Sequence, residues 1–152
     1  LGNQQFDKVL ALDVIEHLYS PEQALEKMNR ILKNGGYLYA STANIGYVIM
    51  RITLLLGWFN YGKRGILDRT HHRLFTVKSF QRLIKNSGFE IEKIIGFGPP
   101  IADQISAKGL LGIIDSILGK LARFWPSLFS FNFLVIGKKR VSFDEIYRKT
   151  IE

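Results

Sequence analysis

The sequence predicts an α/β chain with a mainly parallel sheet, on two observations. Apolar runs at Phe6–Leu12 (FDKVLAL) and Tyr37–Thr42 (YLYAST) flank one amphipathic helical segment. A second helical segment, Val77–Asn86, leads into another apolar run, Phe89–Phe97 (FEIEKIIGF). Strand–helix–strand units of these lengths imply parallel strands and a right-handed crossover.

The elements follow in order. Phe6–Leu12 is short and apolar, is followed by Asp13, and suits a strand buried on both faces. Ser20 before Pro21 is a helix start, a hydroxyl N-cap with proline in the first turn. Gln23 completes the spacing of a capping box. The helix Pro21–Lys33 gathers Ala24, Leu25, Met28, Ile31 and Leu32 on one face, and Gly35-Gly36 supplies its left-handed stop. Ile45–Leu56 is apolar and helix-length, whereas Gly57–Thr70, rich in Gly, aromatic and basic residues, reads as a loop. Thr76 caps Val77–Asn86, and Gly88 ends it. Ala107–Phe124 has helical apolar spacing, Phe131–Ile136 (FNFLVI) is a further strand, and Ser142 starts a short terminal helix. The domain is read as 1–140, with a C-terminal tail at 141–152.

Composition narrows the function classes. The 152 residues contain no cysteine, which excludes a disulfide scaffold, a Cys-ligated metal centre and a thiol nucleophile within this chain. The net charge of +8 favours anionic partners. Between Arg51 and Lys85 there are eight basic residues and one acid, Asp68, so this segment carries almost the whole excess. No targeting segment is visible, and Leu110–Gly137 is too interrupted by charge and proline for a membrane span. The start reads as the middle of a larger protein.

The segments FDKVLALDVIEHL, SPEQALEKMNRILKNGGYLYASTAN and LFTVKSFQRLIKNSGFEIEKI resemble, in that order, the C-terminal half of class I S-adenosylmethionine-dependent methyltransferases. FNFLVIGKK resembles that family's antiparallel seventh strand. GILDRTHHRLFT is similar to the group associated with glycosyltransferases and polysaccharide synthesis. The resemblance implies a partial Rossmann-like fold holding strands 4 to 7, with the first three strands missing. With them go the Gly-rich loop and the ribose-binding acid, so the resemblance also implies weak or absent cofactor binding by this chain alone. The first strand then forms a bare edge, and self-association through Phe6–Leu12 is expected.

The resemblance places Leu12, Asp13 and Val14 at the methionine and sulfonium of S-adenosylmethionine. His17 follows the same strand and is a candidate general base; alternatively, Glu16 and His17 only cap the turn. Asn44 ends the next strand, where it either orients a substrate or closes a turn. His71 matches a family histidine and is a second base candidate. Asp68 either orients it or bonds to its own loop. Adjacent histidines point apart, and no acidic cluster stands nearby in sequence, so no metal site is expected from His71 and His72. Arg69 and Arg73, with Arg51, Lys63 and Arg64, suit a phosphate or sugar acid, or form a solvated basic face.

The reading is a fragment, inactive alone, of a methyltransferase acting on a hydroxyl or similar nucleophile of a sugar-containing or phosphorylated acceptor, in the cytoplasm or at the inner face of the membrane. Two other classes remain open. One is a nucleic-acid module built on the basic segment with Trp58, Phe59 and Tyr61 as stacking groups; it is not favoured. The other is a membrane-surface domain using the two apolar helices, for which ordinary packing is the plainer reading.

Overall fold

A computed structural model describes residues 5–99 and 110–141. Its sheet has four strands, β1 (Phe6–Leu12), β2 (Leu32–Ala43), β3 (Phe89–Phe97) and β4 (Asn132–Lys139), in the order β1-β2-β4-β3. β1 and β2 are parallel, and β4 inserts antiparallel between β2 and β3. This is the α/β arrangement expected for a partial Rossmann-like domain. The helices are α1 (Pro21–Ile31), α2 (Val48–Leu55), α3 (Val77–Asn86), α4 (Leu110–Phe124) and α5 (Pro126–Phe129).

α3 and β3 have the bounds that periodicity predicts. Thr76 Oγ1 accepts from the Ser79 N–H at 3.1 Å, and Ser79 Oγ accepts from the Thr76 N–H at 2.9 Å. That reciprocal pair satisfies donors a helix start would otherwise leave open. At α1 the expected box does not form, because the Ser20 side chain makes no capping bond. α1 also ends at Ile31, two residues early, since Leu32 turns extended and opens β2 opposite Phe6. Gly35-Gly36 therefore lies inside β2 rather than stopping a helix. A Cβ at Gly36 would sit 2.9 Å from Lys33 O and 3.1 Å from Asp7 O, so glycine lets β1 and β2 close up there.

The core lies on one face of the sheet. Leu38 and Ala40 of β2 and Phe133 and Val135 of β4 alternate inward. They meet Leu25 of α1 and Phe80 and Ile84 of α3. Phe80 is fully buried and stands edge-on to both Phe75 and Phe133, with centroids 5.1 and 5.5 Å away.

Two expectations need correction. β1 is not buried on both faces: it is a sheet edge in which Ala11 is buried while Leu10 and Leu12 are exposed. Nor does α2 pack as an ordinary covering helix, because none of its residues is buried. The start of the predicted 107–124 helix and the terminal helix at Ser142 fall outside the described residues. Among the described residues, no helix is long and apolar enough to cross a membrane.

Candidate active site

The site forms where β1 and β2 end, on the side where open α/β sheets bind ligands. Immediately after β1, Asp13 takes a left-handed conformation with φ of 51°. Aspartate tolerates this better than most residues. Its N–H donates to Ser41 O at 3.2 Å and Ser41 Oγ at 3.0 Å. Its carboxylate Oδ1 accepts from Ser41 Oγ and from Asn132 Nδ2, both at 2.9 Å. The turn is thus tied to β2 and β4 at once.

Leu12, Asp13, Ser41, Phe97, Asn132 and Leu134 line an open cleft of about 470 Å³. Leu12 and Asp13 are two of the three residues expected at the cofactor. Val14, the third, is exposed beside the cleft rather than lining it. Asp13→Ala should cost about 1–2 kcal/mol of stability through the left-handed backbone alone. Asp13→Asn should lose less, because asparagine tolerates the same conformation. Chemical denaturation of the three chains compares them, and equal stability of Asp13→Ala and wild type would contradict the argument.

Beyond Asp13 the chain makes one tight helical turn, Ile15–His17. Ile15 is fully buried and anchors it. The Glu16 carbonyl accepts from the N–H groups of His72 at 2.9 Å and Arg73 at 3.1 Å. Those two bonds dock the distant loop onto the turn and bring His71 against His17, with ring centroids 4.8 Å apart. Glu16, His17 and His71 then present ligand-capable atoms within 4.8 Å of one another.

Each ring is oriented by a backbone carbonyl. His17 Nδ1 lies 3.0 Å from Thr70 O, and His71 Nδ1 lies 3.0 Å from Ile66 O. A carbonyl only accepts, so Nδ1 carries the hydrogen and Nε2 keeps the lone pair of a neutral ring. Glu16 is buried, and its Oε2 makes no hydrogen bond. The buried Thr42 hydroxyl stands nearby and favours the charged form of the carboxyl. Burial pushes the Glu16 carboxyl above the ordinary range, and the Asp13 charge adds to this. A buried carboxylate oxygen beside two oriented imidazoles fits a divalent cation of borderline softness. A pocket of about 190 Å³ opens at Glu16 and His71, and it shares Asp13, Phe131 and Asn132 with the larger cleft.

The other candidates are placed differently. Asn44 is fully buried and does not face the cleft. Its Nδ2 donates to Ser130 O at 2.9 Å, and its Oδ1 accepts from the Gly46 N–H at 2.9 Å, so it serves as a strut between β2 and the start of β4. Asp68 closes its own loop: Oδ1 accepts from the Thr70 N–H and hydroxyl, both at 2.8 Å. The Thr70 bonds hold its carboxyl below the usual range, with smaller help from His71 and His17. It makes no hydrogen bond to the His71 ring. Arg73 is paired with Glu22 on α1 at 3.0 Å, and Arg51 is spent on the carbonyls of Gly46 and Ser127. Arg69 remains exposed on the loop.

His72 turns away and stacks on Tyr19, as adjacent histidines should. The His71–His72 pair holds no shared site, as expected, but one acid far off in sequence, Glu16, stands beside His71 with His17. Ser41 and Asn132 escaped the sequence reading altogether. Nothing local marks Asn132, whose role comes from β4 being inserted next to β2.

Residues 2–94 match a family model described as a methyltransferase domain. The chain belongs to this family. The chain is 39% identical over 71 residues to a mitochondrial ubiquinone biosynthesis O-methyltransferase of Dictyostelium discoideum, covering 47% of this chain and 22% of that protein. It is 31% identical over 96 residues to a protein of Mycolicibacterium smegmatis named a probable S-adenosylmethionine-dependent methyltransferase, covering 63% of this chain and 33% of the other. The chain therefore spans a third or less of the length of these curated relatives. Its fold is shared with a SAM-dependent methyltransferase of Thermotoga maritima, with a TM-score of 0.61 and 20% identity over 92% of this chain and 58% of that one. S-adenosylmethionine is the cofactor of this family and fold.

Proposed function

We propose that the whole protein transfers a methyl group from S-adenosylmethionine to an acceptor oxygen. In this reading Leu12 and Asp13 border the donor, and Glu16, His17 and His71 form the acceptor end. The observation that carries it is the convergence of those three side chains within 4.8 Å of one another, two of them, Glu16 and His71, lining a pocket that shares Asp13 with the larger cleft.

S-adenosylmethionine supplies a methyl group already activated on a sulfonium, so transfer is an in-line displacement. What remains for the protein is alignment and removal of the acceptor proton. Nε2 of His17 or His71 is the candidate base, held in position through its Nδ1–H. A second reading is favoured by the unbonded Glu16 Oε2: the three side chains hold a divalent cation. Such an ion would bind the acceptor oxygen and lower the pKa of its hydroxyl.

For the acceptor, the GILDRTHHRLFT segment supports a sugar-containing or phosphorylated molecule, with Arg69, which forms no ion pair among the described residues, in place of the paired Arg73. The name of the Dictyostelium relative supports instead an acceptor of ubiquinone biosynthesis.

The test is transfer of an isotopically labelled methyl group by the whole protein to glycans, sugar phosphates and simple catechols. Label on an acceptor oxygen is expected. Chelation should lower the rate by at least about tenfold, and added Mg²⁺ or Mn²⁺ should restore it. Transfer that is indifferent to chelator would remove the cation and leave the histidines as bases. No transfer to any oxygen acceptor would contradict the reading.

A further inference from the structure

We propose that α2 and the aromatic, basic loop behind it form a docking surface for an anionic membrane. α2 reads VIMRITLL, and none of its eight residues is buried. Leu55 is 86% exposed, and Leu54, Leu56 and Trp58 are each more than half exposed. The root of the helix is nevertheless fixed. The Arg51 guanidinium donates to Gly46 O at 2.6 Å and to Ser127 O at 3.1 Å, and Tyr47 is buried beside it. The chain thus holds out an apolar helix from a firm base.

The loop supplies the other half of the surface. Trp58 and Tyr61 have apolar bodies and polar tips, the type of side chain that settles at a membrane interface. Lys63 and Arg64 are exposed and form no ion pair among the described residues. From Ile45 to Leu67 there is no acidic residue. Exposed apolar helix, amphipathic aromatics and unopposed cations together match an anionic interface.

Other occupants fit less well. In a two-fold contact between copies, Lys63 and Arg64 would approach their own kind with no acid in the segment to receive them. A protein groove takes one stripe of a helix, whereas Leu54 is exposed away from the stripe of Ile49, Ile52 and Leu56. A bilayer interface accepts both. The groove between α2 and the loop shares Gly65 and Phe131 with the pocket at Glu16 and His71. Docking would therefore set that pocket close to the lipid surface.

The test uses this chain with Trp125→Phe, which leaves Trp58 as its single tryptophan. It is mixed with vesicles of phosphatidylcholine alone, or of phosphatidylcholine with phosphatidylglycerol. Trp58 emission should shift to the blue and be quenched by brominated lipid with the anionic vesicles. Lys63→Glu with Arg64→Glu should weaken binding by about tenfold or more, and added salt should act in the same direction. Leu55→Glu alters a fully solvated side chain, so it should fold normally by circular dichroism and bind less. Three results would each overturn the proposal: no shift with either vesicle, equal binding to both, or burial of Trp58 by dimerisation without lipid.

Discussion

Glu16→Gln should reduce methyl transfer by the whole protein by about 10²–10⁴-fold, the range associated with loss of a positioned acid–base group or of a metal's electrostatic help. The same change should leave the thermal midpoint of this chain unchanged or raise it. The two effects part company because of where Glu16 sits. Its carboxyl is buried, and one oxygen makes no hydrogen bond. Holding a charge there at neutral pH works against folding, as its raised pKa records. The amide removes that charge with almost no change of shape, but it loses the anionic ligand. His71→Ala should lower the rate by a similar factor. A rate assay on the whole protein and a melting curve of the chain decide the matter. A Glu16→Gln protein with wild-type turnover would contradict the assignment.

Phe80→Ala should cost about 3–5 kcal/mol, the usual price of emptying a fully packed aromatic site. At this chain length that corresponds to a drop in midpoint on the order of 10 °C. The ring fills the junction of α3, β4 and the end of the histidine loop, edge-on to Phe75 and Phe133. Its effect should reach the active site. Phe75 pairs with Asn44, and its carbonyl accepts from the Ile45 N–H at 2.9 Å, which holds the loop carrying His71 to the end of β2. Phe80→Leu should keep much of the stability. Denaturation curves measure the cost, and hydrogen exchange of the 70–76 amides measures the loosening. A loss below about 1 kcal/mol would show that the junction is not packed as described.

The legible parts of the fold were those governed by local rules. The Thr76 cap, the apolar face of α3 and the alternation in β3 each depend on neighbours in sequence, and their bounds are as read. The β2 boundary was misread because Gly35-Gly36 looks like a helix stop. Its actual role is the close approach of β1, which no single segment reveals. β1 looked doubly buried because apolar content does not say whether each face of the strand is covered.

The site divides in the same way. His17 was singled out from its position after a strand, and His71 from the family resemblance. Their partnership was not, because it rests on Glu16 O receiving the His72 and Arg73 amides across more than fifty residues. Asn44 and Asp68 stayed open between two roles for one shared reason. A polar residue at the end of a strand or in a loop has the same sequence signature whether it faces a ligand or its own backbone. Only the complete set of hydrogen bonds separates the two cases.

The central claim is that Glu16, His17 and His71 act as one centre, and cobalt(II) titration of this 152-residue chain tests it most directly. The account predicts one ion per chain, with a visible absorption band that reports nitrogen and oxygen ligation. Glu16→Gln, His17→Ala and His71→Ala should each weaken binding by at least about tenfold, the scale of loss expected when a metal site is disturbed. Binding that all three substitutions leave untouched would contradict it, and no bound ion would remove the cation and leave the histidines as bases.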